Sequence, residues 1–81
     1  MDAKKQSPAS VHTVPDRDGE GWANEVSGVL VSRHRTREHA VRRGRTIARR
    51  AHTEHVIHTR DGRIAEKNSY GNDPCPPRDA R

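Results

Sequence analysis

The sequence predicts an α+β fold: a small antiparallel sheet of four to five strands with one amphipathic helix, in the order β-β(-β)-α-β-β. Three observations predict it. Apolar residues recur at helical spacing in one segment only, from Arg37 to His52. Stretches rich in β-branched residues lie on both sides of that segment. Short turn signals join them, Ser27-Gly28 before the helix and Asp61-Gly62 after it. A chain of 81 residues holds one domain. We place it at residues 11–71, between an N-terminal arm over 1–10, expected to be disordered, and a Pro-rich extended tail over 72–81.

The elements follow in chain order. Val11-His12-Thr13-Val14 is β-prone and ends at Pro15, and Asp16 to Gly21 reads as a flexible loop. Gly21 to Val26 then alternates Trp22, Asn24 and Val26 against Ala23 and Glu25, the period of a strand. Ser27-Gly28 turns the chain into Val29-Leu30-Val31-Ser32-Arg33, which completes a hairpin.

Thr36 is a natural N-cap, because its hydroxyl can accept from a free amide of the first turn. Glu38 sits in that turn, where the positive end of the helix dipole favours an acid. At the helical repeat, Ala40, Val41, Gly44, Ile47, Ala48 and Ala51 fall within an arc of ~120°, the stripe that a surface helix buries. Gly44 lies inside this arc although a mid-helix glycine costs about 1 kcal/mol relative to alanine. We read it as the point where the helix backbone comes close to the sheet. Beyond the helix, Glu54 to Arg60 is strand-like, Asp61-Gly62 suits a type I′ turn, and Arg63 to Asn68 returns as the partner strand.

Composition narrows the function classes. Val, Ile and Leu number eleven and Phe is absent, so the core is thin and the domain is marginal on its own. No run reaches the ~18 apolar residues of a membrane span, and the start lacks a signal-peptide core. The single cysteine, Cys75, excludes an internal disulfide. A cytoplasmic location is expected.

Charge is more informative than hydrophobicity. From Thr36 to His52, six arginines face one acid, Glu38, so the segment carries +5. The other ten basic residues are matched by ten acids. The whole net charge of +5 therefore belongs to one helix. Arg42, Arg43, Arg45, Arg49 and Arg50 fill much of its outer circumference, an arrangement that can grip phosphates bidentately. A solvated, solubilising face is the plain alternative.

Other chemistries find little footing. His52-Thr53-Glu54-His55-Val56-Ile57-His58 resembles a metal motif on paper, yet His55 and His58 are three apart on a strand and point to opposite faces. No metal site, cofactor or catalytic residue is expected. No phosphate-cradling glycine loop or nucleophile elbow occurs, so the domain is read as non-enzymatic. Base stacking is not expected, since Trp22 and Tyr70 are the only aromatics. Tyr70 reads either as an exposed contact or as the last core residue folded over the sheet.

The sequence also resembles a known family. Gly21-Trp22-Ala23, Thr36 with Ala40-Val41 and Gly44-Arg45 through Ala48-Arg49, Asp61-Gly62-Arg63-Ile64, and Ser69-Tyr70-Gly71-Asn72-Asp73-Pro74 together carry the likeness. They resemble a family of small bacterial proteins catalogued as domain of unknown function 2188. The resemblance covers about Val11 to Pro77 and implies a compact α+β bacterial domain with no assigned activity. His39 stands where the family pattern tends to carry an acid, and Cys75 where an aromatic is common.

Two functions follow as expectations. The first is binding to nucleic-acid backbone, DNA or RNA without strong sequence preference, through the five helix arginines with Arg60 and Arg63 on the final hairpin. The second is protein interaction or self-association as a homodimer, using Trp22, Tyr70 and the strand valines on a sheet face that one helix cannot cover. No membrane partner is expected.

Overall fold

The computed structural model describes residues 9–71. Most of the expected N-terminal arm, and the expected tail with Cys75, lie outside the described residues. Five strands and one helix follow in the order β1 (Val11–Pro15), β2 (Trp22–Val26), β3 (Val29–His34), α1 (Arg37–Ala51), β4 (Glu54–His58) and β5 (Ile64–Ser69). They form one sheet, ordered β3-β2-β1-β4-β5.

The sheet is mixed, not wholly antiparallel. β1 pairs antiparallel with β2 and β2 with β3, as β4 does with β5, but β1 and β4 run parallel. The reason lies in the helix. α1 carries the chain back along the sheet after β3, so β4 starts from the same end as β3 and β1, and parallel strands need such a crossover.

Local chemistry sets the boundaries. The Thr36 hydroxyl accepts from the His39 amide at 3.2 Å, as an N-cap should. The helix ends at His52, which takes the left-handed conformation with φ 55° and donates its N–H to the Ala48 and Arg49 carbonyls. Ser27 and Gly28 both have positive φ, 53° and 78°, the signature of a type I′ hairpin turn. The second hairpin departs from the expected two-residue turn. Only Gly62 is left-handed there, at φ 94°, and the connection is a three-residue loop closed by Gly62 N–H to Thr59 O and Thr59 N–H to Arg63 O. The Thr59 hydroxyl also donates to the Asp61 carboxylate, and Asp61 is not left-handed.

α1 lies across one face of the sheet and buries Ala40, Gly44 and Ala48, one residue per helical turn. Beneath them sit Val11, Thr13, Asn24, His55 and Ile57, each at most 1% exposed. The centre of this interface is polar. The Thr13 hydroxyl donates to Asn24 Oδ1 at 2.6 Å and lies 2.7 Å from His55 Nε2. Asn24 Nδ2 donates to the Ala40 carbonyl at 2.9 Å and to Ser32 Oγ at 3.1 Å. A Cβ on Gly44 would stand 2.5 Å from His55 Nε2, 2.6 Å from Asn24 Oδ1 and 2.8 Å from Thr13 Oγ1. Glycine is thus the residue that lets the helix backbone rest on this network. The three small residues bring little apolar area, so specific hydrogen bonds carry an unusual share of the helix docking.

The other sheet face is not covered by α1. Register places Leu30, Glu25, His12, Val56 and Lys67 in one row across it.

Candidate nucleic-acid interface

The outer side of α1 is fixed by its inner side. With Ala40, Gly44 and Ala48 against the sheet, the 100° step of the helix puts Arg42, Arg45 and Arg49 in one row along the solvent side and Arg43 and Arg50 in a second. All five are exposed. Seven residues separate the ends of each row, so each spans roughly 10 Å along the axis. Thr46 stands between them and, with Arg49 and Arg50, lines a shallow hollow of about 340 Å³. Its hydroxyl donates to the Arg42 carbonyl one turn back.

None of the five arginines meets a carboxylate among the described residues. The ion pairs lie elsewhere. Arg33 on β3 donates to Asp16 at 2.7 Å and 3.2 Å and reaches Asp18 at 3.3 Å. This guanidinium holds the Asp16 carboxyl below the usual carboxylate range, and Asp16 in turn raises Arg33. Lys67 pairs with Glu54 at 3.7 Å and Arg63 with Asp61 at 3.8 Å. Among the described residues, Asp16, Asp18, Glu54 and Asp61 are thus paired with strand and loop bases, and none of these pairs involves the five helix arginines.

The two hairpin arginines have contacts of their own. Arg60 lies over the Trp22 ring, 4.8 Å from its centroid, and donates to the Gly19 carbonyl at 3.4 Å. Arg63 leans on Asp61 in the turn. Arg37, in the first helical turn, covers Trp22 at 5.8 Å, so this end of the sheet uses cations to close over an aromatic.

Trp22 itself is 6% exposed. It shares the helix-side face with Asn24, two residues on, and is a core residue rather than part of an open surface. The expected interaction site at Trp22 is therefore corrected. Alternation in Trp22-Ala23-Asn24-Glu25-Val26 separates two faces but does not reveal which one meets the helix. Tyr70 is half-buried at the opposite end, its amide donating to the Thr53 carbonyl at 3.1 Å, so the two aromatics do not form one surface. Exposed apolar side chains are instead Val29, Leu30 and Val31 on edge strand β3, at 62%, 50% and 47%, and Ile64 on β5.

The histidines divide between the two faces. His55 is fully buried under α1, and its Nδ1 has no hydrogen-bond partner. Burial, then Arg45, push its pKa below the ordinary value, with Glu66 opposing. His34 is lowered by burial and then by His39 and Arg43. His12 and His58 meet on the open face, Nδ1 to Nε2 at 2.9 Å. Burial and then His58 lower His12, against the pull of Glu25. Among the described residues, no group of three His, Cys, Asp or Glu side chains is placed to hold a metal ion, and no helix is long and apolar enough to cross a membrane.

The family model of DUF2188, an uncharacterized protein conserved in bacteria, matches residues 11–70. The chain belongs to this family. The matched span takes in all five strands and α1 of the DUF2188 domain. No curated protein and no solved structure matches the chain. The DUF2188 match carries the fold and brings no activity with it.

Proposed function

We propose that this DUF2188 domain acts by binding, not catalysis, and that its ligand is nucleic-acid backbone phosphate taken by the outer face of α1. The observation that carries the reading is the set of five exposed arginines, Arg42, Arg43, Arg45, Arg49 and Arg50, with no carboxylate beside any of them among the described residues. Guanidinium groups grip phosphate oxygens bidentately, and two rows on one rigid helix let several phosphates be held together. With Trp22 buried and Tyr70 half-buried, nothing offers a stacking platform, so contact is with backbone and sequence preference is weak.

The test is fluorescence anisotropy with a labelled random-sequence duplex, titrated in salt from roughly 50 to 300 mM. Binding that persists near 150 mM, with a log-log slope of about −0.9 per phosphate engaged, is expected. Changing Arg42, Arg45 and Arg49 together to Glu abolishes it while leaving the fold intact. Unchanged affinity in that variant sinks the reading.

A second reading rests on a different observation. Edge strand β3 presents Val29, Leu30 and Val31 to solvent, and an exposed apolar edge offers unpaired backbone groups to another strand. Self-association there, as a homodimer, leaves the helix arginines free and is independent of salt. Light scattering at tens of micromolar separates the two, and a monomer at that concentration removes this second reading.

A further inference from the structure

The two arginine rows of α1 flank the helix; they do not share one outward line. Gly44 rests on the sheet, and at about 100° per residue Arg45 lies to one side of it and Arg43 to the other. Arg42 and Arg49 follow Arg45, and Arg50 follows Arg43, so the mean directions of the rows differ by roughly 120°. The histidines beneath record the same division. After burial, His39 and Arg43 lower the pKa of His34 on β3, and after burial Arg45 lowers that of His55 on β4. β3 is an edge strand and β4 lies beyond β1, so the rows hang over opposite halves of the sheet. Thr46 stands near the midline between them, almost opposite Gly44. We propose that α1 lies in the major groove of B-form duplex DNA, with Arg42, Arg45 and Arg49 on the phosphates of one strand and Arg43 and Arg50 on those of the other.

The inference rests on the backbone-binding reading above and names its ligand by shape. A single strand meets a helix along one line and would leave one of the two rows turned away. Rows on both flanks call for walls of phosphate on both flanks. The major groove of B-DNA, about 12 Å wide and 8.5 Å deep, admits a helix roughly 10–12 Å across. The minor groove, about 6 Å wide, does not. In A-form RNA the major groove is too narrow to enter, and the wide minor groove is too shallow to flank a helix.

Relief and tip fit the same groove. α1 stands roughly 10 Å above the sheet face, so the ridges of a groove about 8.5 Å deep close beside it without meeting the strands. Thr46, short and uncharged, faces the groove floor. Its hydroxyl is spent on the Arg42 carbonyl, which leaves little to read a base edge. Glu38 continues the row of Arg42, Arg45 and Arg49 one turn toward the helix start. Phosphate contact on that flank therefore begins at Arg42, and the C-terminal half of α1 is the part that grips.

The experiment compares four labelled probes with the full chain at about 150 mM salt, by fluorescence anisotropy. They are a random-sequence DNA duplex, the same duplex with glucosylated hydroxymethylcytosine filling its major groove, an RNA duplex of matching sequence, and single-stranded DNA. The plain DNA duplex should bind at least about tenfold more tightly than each of the others. Glucosyl groups carry no charge, so backbone attraction alone would not separate the two DNA duplexes. Changing Arg42, Arg45 and Arg49 together to Gln, or Arg43 and Arg50 together to Gln, should each lower the salt slope by about 0.9 per arginine lost. Glu38→Gln should tighten binding. Equal affinity for any of the other three probes overturns the major-groove docking and leaves backbone binding standing, as does an unchanged slope in the variant at Arg43 and Arg50. Absence of binding to all four probes overturns both. Should a variant fail to fold, the four probes with the unaltered protein decide.

Discussion

Thr13 Oγ1 lies 2.7 Å from His55 Nε2, and this contact fixes which imidazole nitrogen carries the proton. Asn24 Nδ2 donates to the Ala40 carbonyl, which can only accept, so Asn24 must turn Oδ1 toward Thr13. The Thr13 hydroxyl gives its one proton to that oxygen and accepts from His55 Nε2–H. Nδ1 is left bare, as its lack of a partner shows. A helix carbonyl thus sets the tautomer of a histidine two strands away.

Stability should fall in mild acid as a result. The His55 pKa is lowered in the folded state from the ordinary 6.5, chiefly by burial and then by Arg45. The unfolded chain therefore binds the proton first as pH drops. Stability from this group is complete above 6.5 and declines below it, until the folded-state pKa is passed, by at most about 1.4 kcal/mol per pH unit. His12 and His34 are lowered too and add in the same direction. Urea denaturation from pH 7.5 down to 5 checks this. His55→Gln, whose amide can replace the Nε2 donor, should flatten the slope, and nitrogen-15 spectra should show the Nε2–H tautomer.

Gly44→Ala should destabilise the domain although alanine is the better helix former. The propensity gain is about 1 kcal/mol. Against it, the new methyl meets three atoms at 2.5 to 2.8 Å, all tied into one hydrogen-bond network. A net loss of about 2–4 kcal/mol is expected, read as a lower urea midpoint. A neutral or stabilising effect would mean the helix can lift from the sheet at little cost.

Trp22 and Arg60 should separate folding from binding. Trp22→Ala removes a core side chain and should cost about 3–5 kcal/mol, enough to unfold a domain of this size. Arg60→Ala loses the cation over the ring and should cost about 0.5–1 kcal/mol. Because Arg60 is engaged with Trp22 and Gly19, its removal should leave the salt slope of duplex binding unchanged. Each arginine lost from α1 should lower that slope by about 0.9.

A lysine on the edge strand tests self-association. Leu30→Lys places a charge in the exposed apolar stretch of β3 and should abolish any concentration-dependent increase in mass. Leu30 is half exposed, so the effect on stability should stay within about 0.5 kcal/mol.

How much of this was legible in the sequence follows from how local each feature is. α1, its Thr36 cap and the turn at Ser27-Gly28 depend on residues within a few positions of one another, and they stand where expected. Gly44 inside the apolar stripe was also a true signal of close approach. It did not say that the neighbours would be polar: Thr13, Asn24 and His55 read as ordinary strand residues until pairing aligns them. The same holds for His12 and His58, and for the parallel β1 and β4, whose contact depends on the path of the helix between them. The exposed arginines were plain from charge alone, but the engagement of Arg60 with Trp22 required the folded loop.

The parallel seam between β1 and β4 also bears on how the chain reaches this fold. The β1–β2–β3 meander and the β4–β5 hairpin are each assembled from sequence neighbours. That seam and α1 chiefly unite them, through contacts such as Thr13 to His55, 42 positions apart. Closing so long a loop carries an entropic cost before any contact across it forms. Joining these two local pieces is therefore expected to set the folding barrier. Side chains at the join, Thr13 and Ile57 foremost, should govern the speed of folding.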